Sequence, residues 1–195
     1  MTASKGGAVS DRRIQIAEAG IRILATRGAH ALTHLNIDRD LGFAQGSTSY
    51  YARTRRDLIT LVVGRLADHT NDDLAAQPIP DELTPEMVAA TIVAGLDTTM
   101  QRADDHRARL LLLLECRSDP ELHAALATRP AIRDSAIALA GRVLDRLGVN
   151  DPTSHAGDLV ALMDSLLMQR VIRTAPINET AILTAYLKGL RPGGG

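Results

Sequence analysis

The sequence predicts an all-α protein, and three observations predict it. Ala and Leu, both strong helix formers, dominate the composition. Aromatic residues, on which sheets draw, are nearly absent: Phe43, Tyr50, Tyr51 and Tyr186 are the only four, and there is no Trp. Apolar residues recur at spacings of three and four between Gly and Pro punctuation. A chain of 195 residues has room for one domain or two small ones.

Residues 1–10 are polar and expected to be a flexible arm, so helix one starts with Ser10 or Asp11 as N-cap. Ile14, Ala17, Ile21 and Leu24 form its apolar stripe, and Gly28 after Arg27 ends it. Thr33 caps a short helix to about Leu41, carrying Leu35 and Ile37 and broken by Gly42. A third helix, Gln45 to Tyr51, follows at once. A long amphipathic helix followed by two short ones across a tight Gly turn outlines a helix-turn-helix unit over 11–56.

Thr54-Arg55-Arg56-Asp57 reads as a capping box that opens a fourth helix to about Ala76. Pro78 and Pro80 make 78–83 a linker. Pro85 starts a fifth helix to about Arg102, and Asp104-Asp105 caps a sixth that carries the run Leu110 to Leu114 up to Cys116. Apolar all round, this sixth helix is expected to be central and buried. Asp119-Pro120 and Arg129-Pro130 open helices over 120–128 and 131–147, the latter closed by Gly148. Asp151-Pro152 opens another to about Arg173, and the last runs from Asn178 to about Leu190. Residues 57–190 thus form a helical body, and 191–195 a disordered tail.

Composition narrows the function classes. The longest apolar run has five residues, far too short for a membrane span, and no basic start leads into an apolar leader, so a cytoplasmic protein is expected. A lone cysteine, Cys116, excludes a disulfide scaffold and reads as an inert core thiol. Net charge is uneven: residues 1–56 carry +5 and the remaining 139 carry −6. A basic third on an acidic body points to an anionic partner at one end, DNA or a membrane surface.

Leu41-Gly42-Phe43-Ala44-Gln45-Gly46-Ser47-Thr48-Ser49-Tyr50-Tyr51-Ala52-Arg53-Thr54-Arg55-Arg56-Asp57-Leu58 resembles the signature of the tetracycline-repressor (TetR) family of bacterial transcription regulators. The likeness runs from Arg12 to Ile59; the rest of the chain matches only in helix number and length. Two positions depart from the family's pattern. Asp38 stands where a small Ala often packs, and Ala52 where an aromatic usually closes the recognition helix.

The residues themselves suit DNA. A helix entering the major groove needs short polar side chains at its N-terminal turn, and Gln45, Gly46, Ser47 and Ser49 meet that need. Gln45 can pair bidentately with adenine, and Gly46 admits close backbone approach. Tyr50 and Tyr51 can each put a hydroxyl on a phosphate or a ring against a thymine methyl. The resemblance implies Gln45, Ser47, Ser49 and Tyr50 as base readers. Thr33, Arg53 and Arg55, set near helix N-termini, and Tyr51 are the expected phosphate clamps, with Lys5, Arg12 and Arg13 as weaker candidates. The alternative is that Tyr50 is core and Arg53 a solvated face.

His69, Asp72 and Asp73 have metal-compatible spacing but end a long helix expected to be solvated there, and His30 and His34 flank a cap instead of sharing a face, so no metal is expected. There is no Gly-rich phosphate loop, no Gly-x-Ser-x-Gly and no His-Glu-x-x-His, so neither an enzyme nor a cofactor is expected.

The expected function is ligand-responsive repression by a homodimer on a palindromic operator, with release by a small apolar effector. The alternative is a small helical-bundle enzyme or carrier whose N-terminal helices only pack. The resemblance implies that the last two long helices dimerise, with Leu159, Met163, Leu166, Leu167, Ile182 and Tyr186 as interface candidates or, equally, subunit core. Met87, Thr91, Met100, Leu111, Glu115 and Met163 are the expected lining of the effector pocket.

Overall fold

The computed structural model describes residues 5–75, 83–127, 130–173 and 176–190. The helices are α1 Lys5–Arg27, α2 His34–Leu41, α3 Ser47–Tyr51, α4 Arg55–Ala75, α5 Pro85–Met100, α6 Ala103–Glu115, α7 Pro120–Ala127, α8 Pro130–Arg146, α9 Pro152–Ile172 and α10 Glu179–Gly189, with one 3₁₀ turn at Ala29–Ala31. No strand occurs among the described residues, so the all-α expectation holds. The linker expected over 78–83 lies outside the described residues except for Leu83, and the tail 191–195 lies wholly outside them.

The caps read from the sequence are formed. Thr33 Oγ1 accepts from Asn36 N at 3.2 Å, and Gly42 closes α2 in the left-handed region. At the start of α4 the capping box is reciprocal, Asp57 N donating to Thr54 Oγ1 and Thr54 N to Asp57 Oδ2, both at 3.0 Å. The Thr54 amide, and after it the Thr54 hydroxyl, hold the Asp57 carboxyl below its ordinary value. Asp151 likewise caps α9, while Thr84 and Asn178 cap α5 and α10 beyond those expected.

Three boundaries and faces differ from expectation. Helix α1 begins at Lys5, not at Ser10 or Asp11, because no proline stops it and its N-terminal residues continue the helix. Helix α3 begins at Ser47, since Gly46 sits at φ 90°, a conformation that ends helical backbone and leaves Gln45 in the preceding turn. In α6 only Leu112 of the leucine run is buried, in line with Ala108 and Cys116 four residues to either side, whereas Leu114 is 69% exposed. Five consecutive leucines spread over every face of a helix, and one packing partner covers only one of them.

The described residues divide into two compact units, those within 1–70 and 104–129, and those within 71–103 and 130–195. The first unit thus takes α6 residues from Asp104 on, together with α7, alongside the helix-turn-helix. Its core joins Ile16, Ile23, Leu24, Leu32, Ile37, Leu58, Val62, Leu66, Leu112 and Leu122. Gly20 lets α1 and α4 touch, for a Cβ there would lie 2.5 Å from Val62 Cγ2. In the second unit α8 lies along α9 and α5 along α10, around Val88, Leu96, Leu144, Leu159, Leu183 and Leu187. Arg170 on α9 ties Glu179 at the start of α10 to Asp97 on α5, the latter at 2.8 Å.

Candidate nucleic-acid interface

Helix α3 has five residues, too few to be stable alone, so its placement is a tertiary matter. Thr48, fully buried, and Ala52, 1% exposed, anchor it to the first unit's interior. Ala52 N closes the helix on Thr48 O, while His34 Nε2 on α2 donates to Ala52 O at 2.8 Å. Ala52, small where the family's pattern has an aromatic, therefore joins the core and takes a bond from α2.

The anchored helix leaves its other face open. Gln45, Gly46, Ser49 and Tyr50 are exposed, Ser47 and Tyr51 half-buried. Tyr50 is 80% exposed, which removes the alternative that it fills the core. It meets Tyr51 edge to face at a centroid distance of 5.2 Å, and Tyr51 packs its ring against the core. The Ser47 hydroxyl donates to Ala44 O at 2.6 Å. An open hollow of about 440 Å³ lies here, lined by Arg12, Phe43, Ser47, Tyr50 and Tyr51.

Basic groups border it. The Arg12 guanidinium lies over the Phe43 ring at 4.5 Å, and Arg13 Nη2 reaches Tyr51 O at 3.5 Å. Arg53 and Thr33 are exposed. Arg55, grouped with Arg53 in the sequence, is engaged differently. Its Nη1 donates to Leu32 O at 2.7 Å, and its Nη2 to Ala29 O at 3.0 Å and to Glu115 Oε1 at 2.9 Å. Three internal acceptors hold a guanidinium expected to face phosphate, because helix packing brings the α1–α2 turn and the end of α6 to it. Its neighbour Arg56 is likewise taken by Asp119 and Glu121, which raises its pKa and lowers that of Asp119.

Asp38, a departure from the family pattern, is 2% exposed and turned toward α3. Its Oδ1 accepts from Thr48 N at 2.9 Å and Thr48 Oγ1 at 2.6 Å, and its Oδ2 from Gly46 N at 2.7 Å. Burial alone raises its pKa, but the Thr48 hydroxyl and the Thr48 and Gly46 amides outweigh burial and hold it below the ordinary carboxyl value. The sequence signal was an acid between the core residues Ile37 and Leu41, eight positions before a glycine.

His69, expected at a solvated helix end, is 7% exposed, with Nδ1 at 2.6 Å from Asp105 and Nε2 at 3.1 Å from Glu18. The packing of α4 between α1 and α6 encloses it. Cys116 is buried, and burial with the charges of Asp119 and Glu115 pushes its thiol up. Leu159 and Leu166 are 2% and 4% exposed and lie in the second unit's own core. Met163, Leu167 and Tyr186 pack partly against the same core, and Ile182 is 40% exposed. The pocket residues do not share one unit: Leu111 and Glu115 belong to the first, Met87, Thr91, Met100 and Met163 to the second. Glu115 is ion-paired to Arg55 and Met87 is 40% exposed. Among the described residues no helix is long and apolar enough to cross a membrane.

No curated protein matches the sequence. Solved structures do match the fold. The multidrug binding protein EbrR complexed with malachite green shares 21% identity over 94% of this chain and 99% of its own, at a TM-score of 0.68. A TetR-family member from Streptomyces coelicolor A3 shares 22% identity over 94% and 99%, at 0.67. A transcriptional regulator from Rhodococcus sp. Rha1 shares 15% over 91% and 95%, at 0.69. A family model described as "Tetracyclin repressor-like, C-terminal domain" matches residues 83–193, the part whose sequence reading rested on helix number and length alone. With that model spanning more than half of its length, the chain belongs to the tetracycline-repressor-like family of transcription regulators.

Proposed function

We propose that this regulator is a repressor that binds a palindromic operator as a homodimer through α3 of each protomer and is released by a small apolar effector. The observation that carries the DNA reading is the placement of α3: a short helix anchored by its buried side, together with the turn before it, presents Gln45, Gly46, Ser49 and an 80% exposed Tyr50 outward. A helix that only packed would have no use for that polar, aromatic face. Gln45, Ser47, Ser49 and Tyr50 are the base readers of this reading, and Thr33, Tyr51 and Arg53 its phosphate contacts, with Arg12 and Arg13 beside them.

Dimerisation follows from operator geometry, since one recognition helix reads only a few base pairs and two read a palindrome. Met168, Ile172, Ile177 and Ile182, each 37% exposed or more around α9 and α10, are the apolar groups a partner would cover. The effector reading draws support from the EbrR structures with imidazole, malachite green and proflavin. Tyr186 is the only aromatic of the second unit, so the ligand class it suits is aliphatic and apolar instead of planar and stacked.

The test is selection of bound sequences from random duplex DNA. Wild-type protein is expected to enrich a palindrome, and Gln45→Ala to relax one position in each half-site. Enrichment of no sequence removes the reading. Loss by Gln45→Ala of equal affinity on every base variant makes Gln45 a backbone contact.

A further inference from the structure

We infer that Asp38 is the positioning residue of the recognition helix, its buried carboxylate serving as the N-terminal cap that α3 lacks in its own sequence. This rests on the reading of α3 as the DNA-reading helix. Gly46, at the N-cap position, has no side chain and makes no side-chain cap bond. A helix start leaves N–H groups without partners, and short polar side chains normally take them locally. Here the partner comes from α2, eight and ten residues back, as the Asp38 carboxylate on Gly46 N, Thr48 N and Thr48 Oγ1. The main chain repeats the tie on the other side of the turn, for Asp38 O accepts from Phe43 N at 2.8 Å.

This arrangement needs the charge and not only the shape. No Lys or Arg is bonded to the carboxylate among the described residues, so three hydrogen-bond donors compensate a group that is 2% exposed. An asparagine offers one acceptor oxygen and turns an amide N–H toward one of the two main-chain donors. The consequence falls on α3 alone, since Ile37 and Leu58 hold α2 and α4 to the core independently. A variant whose α3 is docked in a fraction of molecules binds operator with an affinity reduced by that fraction. Contacts to phosphate from Arg12, Arg13 and Arg53 do not depend on that docking in the same degree, so sequence preference falls and non-specific binding stays.

The experiment compares wild type and Asp38→Asn as full chains, on a duplex carrying the palindrome that wild type enriches and on a random-sequence duplex of the same length. Hydrogen exchange of the Gly46 and Thr48 amides is followed alongside. Expected for Asp38→Asn is a loss of preference for the palindrome of about tenfold or more. Exchange should accelerate at Gly46 and Thr48, with the α1 and α4 core amides and the salt slope unchanged. Retention of the wild-type preference, or acceleration spread evenly through the core, overturns the inference. If Asp38→Asn does not fold, Thr48→Val carries the test, because it removes only the hydroxyl donor. A loss of preference of about threefold or more then supports the role, and wild-type preference overturns it. If wild type enriches no sequence, the DNA reading fails separately. Amide exchange then decides the cap alone: acceleration confined to Gly46 and Thr48 keeps it, and wild-type exchange at both removes it.

Discussion

Replacing Arg55 with Ala separates two roles that the sequence does not distinguish. As a phosphate clamp, Arg55 would contribute to the salt dependence of DNA binding by about 0.9 in log–log slope per protomer, nearly 2 for a dimer. As the structure has it, the guanidinium braces the first unit through Leu32 O, Ala29 O and Glu115. The ion pair, with side chains 41% and 36% exposed, contributes no more than about 1 kcal/mol after solvent screening. The two carbonyl bonds, charge-assisted but partly open to water, contribute about 1 kcal/mol each, the Leu32 bond more because that residue is fully buried. Together the loss is about 2–3 kcal/mol, which in a chain of this size lowers Tm by about 5–10 °C. The assay pairs thermal or urea unfolding of Arg55→Ala with DNA titrations at several salt concentrations. The brace predicts a lower Tm with a slope changed by less than about 0.5. A Tm within about 1 °C of wild type and a slope reduced by about 2 would refute it and restore the clamp.

Three further outcomes test other parts of the molecule. Tyr50→Ala should leave Tm within about 2 °C, since an 80% exposed side chain contributes little to stability, yet weaken operator binding by about 1–3 kcal/mol; mobility-shift and melting data on one preparation decide it. The Asp38 carboxyl is held below its ordinary value in the folded chain, so its stabilisation is complete above the unfolded pKa of about 3.9 and is lost as pH falls through the folded value. Urea midpoints between pH 6 and 2 should therefore fall more steeply for wild type than for Asp38→Asn, and parallel curves would contradict the cap. Leu159→Ala should cost about 2–5 kcal/mol of folding stability as a core truncation, whereas Ile172→Asp, at a side chain 59% exposed, should shift the monomer–dimer equilibrium in sedimentation with little change in monomer unfolding.

The local features were legible in the sequence because their causes are local. A cap involves residues three apart and a proline suits a first turn, so Thr33, the Thr54–Asp57 box, Pro85, Asp151-Pro152 and Asn178 marked helix starts that the structure keeps within a residue or so. The exposed run around Tyr50 was likewise written in its polarity, and so was the all-α class. What only the tertiary structure decided was every pairing across elements. Periodicity says that a helix has an apolar face but not how much of it a neighbour covers, which is why Leu112 is buried and Leu114 is 69% exposed. It does not say whether Leu159 and Leu166 face the subunit's own core or a partner. Nor does charge carry its own address. Arg55 finds acceptors 23, 26 and 60 residues away, His69 finds carboxylates 36 and 51 away, and Asp38 reaches over a turn to α3. An ionisable side chain in a helical chain has many possible partners at similar local cost, and the packing of the helices around Leu32, Leu58 and Leu112 selects among them.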